Sequence, residues 1–477
     1  MHKDKIYTVE EASKLEIKEV HSLYNAFINP NQTKIFSSLP FGQETFETAE
    51  GVNIFTTGGK KILDFTGGLG VLGLGHNHPR ILNVRINFQK AKKLEVHKIF
   101  FSKYMAALSG SISSLLPDKL NKSFFLNSGA EAVEAAIKIS FKSFNGNKKN
   151  ILYSDKSYHG KLIGSGSVSG SYRKNNIFPE MKNCESFKFN DPEDLERKVN
   201  MLETNNDGVY AVIIEPFSAS MLEPCSDSFL EKLFFLKKKF KFKIIFDEVF
   251  TGFFKSKHMF YFQNFSNYTP DIICLSKTLG GGKSSISCLV VDDETYDKAY
   301  GSLNDTFLHT TTYNGFGEES VTALEALNIL AEPEFKNKVG VLSDLLSAKL
   351  LTLKNNHSEK IESVKGTGLL NGVVFKSYSS ALGKIVESIP LNFIKDKAFF
   401  LKKLTATVIS AELYEKYNIL TSINDSSNSN HLNVSPSLII EKQDVDYFFS
   451  SLERVLDSNL NLKSLNLIFN FIKSKLK

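Results

Sequence analysis

Four short segments each place a chemically able residue directly after an apolar run. Ser128-Gly129-Ala130-Glu131 follows SFFLN (123–127), Tyr158-His159-Gly160 follows ILYS (151–154), Asp247-Glu248-Val249 follows FKIIF, and Lys277 with Gly280-Gly281-Gly282 follows DIICLS (271–276). A small, glycine-containing turn that opens a helix exposes free N–H groups and the positive end of the helix dipole, a setting for phosphate. An aromatic beside it, Tyr158, can stack on a planar ring; taken alone, it reads more readily as core packing, and His159 as a hydrogen-bonded structural histidine. A carboxylate at the end of a buried strand, Asp247, costs free energy unless a cation faces it, and a protonated ring nitrogen is one such cation. A lysine leaving a buried strand, Lys277, is driven toward its neutral, nucleophilic form by burial, and the glycines after it allow close backbone approach to a ligand. Phosphate anchor, stacking ring, acid and amine are together the needs of pyridoxal 5′-phosphate.

Short, nearly continuous apolar runs at 123–127, 151–154, 209–215, 242–248, 271–276 and 287–291 must position these residues. Amphipathic stretches of helical length, Ala130 to Phe144 and Ser228 to Phe240, separate several of them. This alternation predicts an α/β fold with a mainly parallel sheet buried on both faces, where ligands sit beyond the carboxyl ends of the strands. Helical periodicity over Glu319–Glu332 and Phe335–Leu353, then a turn plus strand in GTGLLNGVVF (366–375), predicts a second unit from near residue 330. Thr8 and Glu11 form a capping-box pattern for one N-terminal helix whose apolar residues run to Phe27 and which stops at Asn29-Pro30. The expected division is an N-terminal helical arm and packing segment (1–60), a large cofactor-binding domain (61–330) and a smaller α/β C-terminal domain (331–477). NDSSNSN (424–430) reads as a polar loop, and FFLKKKFKFK (234–243) as the solvated face of a core helix running into a strand.

Of 477 residues, 42% are hydrophobic and 23% charged, a globular composition. The net charge of +6 is too balanced to argue for nucleic acid, and no apolar run approaches membrane-spanning length. Cys184, Cys225, Cys274 and Cys288 form no C-x-x-C pair, so no metal site is expected. The N-terminus has no apolar leader segment, and a cytoplasmic protein is the expectation.

With these residues in place, the sequence resembles the class III (ornithine/ω-amino acid) aminotransferases, whose fold is the type I pyridoxal-phosphate fold. The resemblance is carried by LDFTGGLGVLGLGHNHP (63–79), FLNSGAEAVEAAIK (125–138), YHGK (158–161), VIIEP (212–216), IIFDEVFTG (244–252), PDIICLSKTLGGG (270–282) and LHTTTYNG (308–315). Within that family, the N-terminal helix, SFFLNSGAE, Arg173-Lys174 and FLHTTT are most similar to the putrescine aminotransferase group. The resemblance implies that Lys277 joins the cofactor's aldehyde and carries the proton. It implies that Asp247 pairs with the ring nitrogen, that Tyr158 and Val249 cover the two ring faces, and that Gly129 and Ala130 hold the phosphate beside Ser128. Thr312 matches the residue that reaches the neighbouring subunit's phosphate, which implies a homodimer with shared active sites. Transamination of a primary amine or ω-amino group, or the matching aldehyde, against a keto acid or amino acid is the leading reading. An aminomutase or decarboxylase of the same fold, and a cofactor-binding subunit without catalysis, are the alternatives.

The chain departs from the family at four places. The Arg that clamps a substrate carboxylate is Asn433, the Glu that gates it is Ser220, the Gln after Asp-Glu-Val is Phe250, and GGNP becomes Asn314-Gly315-Phe316-Gly317. A charge-assisted hydrogen bond is worth ~1.5–3 kcal/mol, so losing the Arg should weaken carboxylate binding by roughly ten- to a hundredfold. Arginine is scarce here, and among Arg80, Arg85, Arg173, Arg197 and Arg454, Arg173 is the best remaining anchor for a substrate anion, while Arg80 reads as structural.

Overall fold

The computed structural model describes residues 5–95, 99–173, 177–205, 207–313, 317–376, 397–424 and 431–460. The motif residues 314–316, Lys174, most of the polar loop at 424–430, and 377–396 of the long stretch before residue 420 lie outside these, as does the side chain of Arg173.

The N-terminal strands are β1 (Phe46–Glu50), β2 (Asn53–Thr56) and β3 (Lys61–Asp64). The central strands follow as β4 (Leu120–Leu126), β5 (Asn150–Ser154), β6 (Cys184–Phe187), β7 (Val209–Ile214), a ribbon of β8 (Phe217–Ser218) and β9 (Glu223–Pro224), β10 (Lys243–Asp247), β11 (Ile272–Leu275) and β12 (Ser287–Asp292). Last come β13 (Ile361–Thr367), β14 (Leu370–Phe375), β15 (Ile419–Leu420), β16 (Ser422–Ile423) and β17 (His431–Val434).

The largest sheet runs β4-β12-β11-β10-β7-β5-β6. The neighbours from β11 to β6 are all parallel, and β12 alone runs against both of its partners. The strands read as continuous apolar runs because both faces are covered. Val212, Ile214, Ile244 and Phe246 point into one core, and Ala211, Ile213 and Ile245 into the other. Each core is closed by a helix foreseen in the sequence. Gly129–Lys142 buries Ala132, Val133, Ala136, Ile137 and Ile139 on one side, and Asp227–Phe240 buries Phe229, Leu230, Leu233 and Leu236 on the other. Each large side chain so buried contributes about 1.5–3 kcal/mol. The lysine-rich end of Asp227–Phe240 is a solvated helix end, with Lys237 paired to Asp271 at 2.6 Å and Lys241 capping in the left-handed conformation.

A second sheet, β13-β14-β17-β16, begins with the hairpin β13–β14, where a turn plus one strand had been expected. Long helices, Pro333–Asn356, Lys397–Tyr417 and Lys442–Asp457, accompany it. β3 pairs in parallel with β15, so the N-terminal strands are completed by C-terminal chain.

The single N-terminal helix expected from periodicity is instead Val9–Ser13, Ile17–Phe27 and Pro30–Phe36. The Thr8–Glu11 capping box forms, but a second capping box, Glu16 with Glu19, restarts the helix. Asn29-Pro30 is a stop and also a start: Asn29 caps the third helix and Pro30 takes its first position, where a missing N–H costs nothing. Among the described residues no helix is long and apolar enough to cross a membrane.

Candidate active site

The strand ends converge as a parallel sheet requires. Asp247 closes β10 and is 6% exposed. Its Oδ2 lies 2.8 Å from Nδ1 of His159, and its Oδ1 accepts the Val249 N–H at 3.0 Å. The buried acid thus meets a protein group, the imidazole, which comes from the loop after β5. His159 therefore acts on Asp247 from behind, and its own Nε2 is buried with no hydrogen-bond partner among the described residues. Each carboxylate oxygen has more than one acceptor lobe, so Asp247 can still accept a ring N–H.

Glu215, just past β7, accepts the Tyr158 N–H at 3.0 Å and the Ala219 N–H at 3.1 Å. One buried carboxyl thereby fixes both the aromatic at 158 and the loop leading to Ser220. Burial pushes it up to about 7, with Asp247 adding and His159 and the two N–H groups opposing. Glu248 is also fully buried; it accepts the N–H groups of Tyr261 (2.6 Å) and Phe262 (2.7 Å) and the Thr251 hydroxyl (2.9 Å), closing the next loop on itself.

Lys277 follows β11 and sits at φ +48°, a strained setting for a residue with a Cβ. The residue as a whole keeps some exposure, but its Nζ lies 3.3 Å from the centroid of the Phe250 ring. Gly70, at φ +90°, makes that approach possible, since a Cβ there would meet the Phe250 ring at 2.3 Å and Lys277 Cδ at 3.2 Å. The Thr278 hydroxyl donates to the Gly70 carbonyl at 3.0 Å and holds this wall in place. Removal from water lowers the Lys277 amine to about 8; Asp247 and Glu215 resist that shift. The result is an amine available near neutral pH beside a fixed carboxylate.

At the end of β4, Ser128 caps Gly129–Lys142 by accepting the Glu131 N–H at 3.3 Å, and Ser287 Oγ donates to the Ser128 carbonyl at 2.8 Å. Val249 leans directly on this turn: a Cβ on Gly129 would fall 2.7 Å from Val249 Cγ1, and one on Gly160 would fall 2.7 Å from Ala130 Cβ. The helix N-terminus, Val249, Asp247 and the loop of Tyr158 and His159 are therefore one continuous surface. Tyr158 is 43% exposed. Thr312 is exposed in a turn next to Thr311, whose hydroxyl lies 3.5 Å from Asn127 Nδ2 of the same chain.

A model of the class III aminotransferase family matches residues 42–456. The chain belongs to the class III aminotransferases. Several solved structures share its fold. The ornithine aminotransferase of Toxoplasma gondii ME49 is 20% identical with TM-score 0.76, over 94% of this chain and 98% of that one. The omega transaminase of Pseudomonas jessenii in complex with PMP is 21% identical with TM-score 0.73, over 87% and 92%. A transaminase from the marine bacterium Virgibacillus is 20% identical with TM-score 0.76, over 87% and 92%.

As a class III aminotransferase the protein is pyridoxal-phosphate-dependent and catalyses transamination. The residues present fit that group: an anion-binding turn without side-chain obstruction at Gly129, a flanking valine, an exposed aromatic, a braced carboxylate and a nucleophilic amine. Asn433 Nδ2 donates to Ser422 Oγ at 3.0 Å, and the Ser220 carbonyl accepts from Asn424 Nδ2 at 2.9 Å. Arg173 ends a short helix, Gly170–Arg173. Arg80 is tied to Glu325 at 2.6 Å and to Glu332, a structural role. Sequence reasoning passed over Glu215, Gly70 and the buried Lys255, although the acid in VIIEP had the same strand-end signal as Asp247.

Proposed function

We propose that this class III aminotransferase moves the amino group of a primary amine or an ω-amino compound, or of the matching aldehyde in reverse, with a keto acid or amino acid as co-substrate. The observation that carries the substrate class is the neutrality of the clamp positions. Asn433 donates to the Ser422 hydroxyl, and Ser220, whose backbone carbonyl accepts from Asn424, brings only a neutral hydroxyl, where an arginine–glutamate pair would select an α-carboxylate. His431, two residues earlier on the same strand, is held neutral: burial lowers it to about 4, Asn433 opposing and Lys365 and Lys403 adding to the shift. Lys365 is itself paired with Glu223.

Bound pyridoxal phosphate supplies an electrophilic carbonyl and an electron-withdrawing ring. The chain supplies the rest. Lys277 offers the amine that attaches the cofactor and then carries a proton at Nζ. Asp247, oriented by His159, keeps the ring nitrogen protonated. Tyr158 and Val249 confine the ring, and the N–H groups of Gly129 and Ala130 take the phosphate. Arg173 is the candidate second anchor for an anionic co-substrate. A homodimer with Thr312 serving the partner's phosphate is supported by the exposed apolar residues of its own segment, Leu303, Phe307 and Tyr313. The likeness to putrescine-type enzymes rests on the sequence motifs.

A panel of amines and amino acids, scored by single-turnover conversion of the enzyme to its pyridoxamine form, tests the reading. Primary amines should react faster than α-amino acids, and Asn433→Arg should improve α-amino acid use by roughly ten- to a hundredfold. Equal use of both classes, with no gain in the variant, would refute it.

A further inference from the structure

Lys255 is 1% exposed, the deepest lysine among the described residues, and its amine meets no carboxylate of those residues within ion-pair distance. It donates to two backbone carbonyls, Ser435 at 3.0 Å and Pro436 at 2.6 Å. Those carbonyls belong to the turn immediately after β17, two residues beyond Asn433, whereas Lys255 belongs to the loop that follows Asp247 and Phe250. Its own carbonyl accepts the Leu369 N–H at 2.9 Å, from the turn between β13 and β14. One residue thus joins the loop of the cofactor side to two turns of the second sheet.

The loop carrying it is strained, with Phe253, Phe254 and Lys257 at φ +57°, +66° and +76°. Such conformations persist where surrounding contacts over-determine them, and they concentrate at functional sites. The far side of the same turn is equally fixed. A Cβ on Gly67 would meet the Ser435 carbonyl at 2.7 Å, and the Gly73 carbonyl accepts both Ser437 Oγ (3.0 Å) and the Leu438 N–H (2.9 Å). Gly67–Gly70 is the wall against which Lys277 rests. The turn at 435–438 is therefore held between two loops that both border Lys277. The charged groups acting on the Lys255 amine are Lys277 and Asp64. Burial first and Lys277 second push it down to about 7, with Asp64 opposing. A neutral amine carries two N–H groups, the number of carbonyls it faces.

We propose that Lys255 is a positioning residue: a buried latch that fixes the Asn433–Ser437 segment relative to Lys277 and so sets the geometry of the substrate side of the site. The proposal rests on the reading that Asn433 faces the substrate.

The test uses the pyridoxal-phosphate-loaded enzyme and the variants Lys255→Met and Lys255→Arg. Lys255→Met should raise the KM for amine and keto acid at least fivefold with less than threefold loss in kcat. It should also speed amide exchange over 431–440 at least tenfold, and Lys255→Arg, which keeps donors, should recover most of both. Unchanged KM in Lys255→Met would overturn the positioning role, even where exchange rises. Unchanged exchange would overturn the latch itself, whatever the substrate preference proves to be. If Lys255→Met is not recovered folded, exchange in the unaltered enzyme decides. The latch requires the amides of Leu369 and Leu438 to open together, and independent opening at different rates overturns it.

Discussion

The acidity of the Lys277 amine can be read directly. Burial brings it from an ordinary 10.5 to about 8. At pH 7 the neutral, nucleophilic fraction is then roughly a tenth, against about three parts in ten thousand for a free lysine, a gain of about 300-fold. The cofactor-free enzyme labelled with an amine-reactive reagent, and followed at the Lys277 peptide by mass spectrometry from pH 6 to 11, should react about tenfold faster per pH unit up to an inflection near 8 and then level off. The signs for variants follow from the geometry. Asp247 raises the amine and the Phe250 ring face, 3.3 Å away, also favours the ammonium. Asp247→Asn and Phe250→Leu should therefore each move the inflection downward. A rate that keeps climbing past pH 10, or an inflection that moves up in Asp247→Asn, would refute the reasoning.

Two further outcomes follow from buried contacts. Gly129→Ala puts a methyl 2.7 Å from Val249 Cγ1, in the turn that takes the phosphate, and should lower pyridoxal-phosphate affinity at least tenfold by equilibrium dialysis; unchanged affinity would place the phosphate elsewhere. Glu215 and Glu248 are pushed up from 4.5 to about 7 by burial, so between those values the folded chain holds more protons than the unfolded one. Stability should fall as pH rises through this window, by at most about 3 kcal/mol per carboxyl, and Glu248→Gln should flatten the urea-midpoint profile; a midpoint that rises from pH 4.5 to 7 would contradict this.

Much of the sheet was legible because a strand covered on both faces must be apolar throughout, and two of those runs led directly to residues with chemistry of their own, Asp247 and Lys277. The edge strand β6 was not, since Cys184, Glu185 and Ser186 are only partly buried and show no continuous apolar run. The pairing of His159 with Asp247 joins residues 88 apart through the ends of two strands, and sequence spacing carries no trace of it. Lys255 was invisible for a different reason. A lysine reads as a surface residue by type, and its partners are backbone carbonyls, which any sequence supplies. The N-terminal helices were merged because apolar spacing survives a break that capping side chains create.

Attachment of the cofactor is the claim on which the rest stands. Incubating the enzyme with pyridoxal phosphate, reducing with borohydride and mapping the peptides by mass spectrometry tests it against a built-in control, since Lys255 is a second buried amine of lowered basicity nearby. The account requires one phosphopyridoxyl group on Lys277 and none on Lys255. An adduct on Lys255, or on neither, would contradict it.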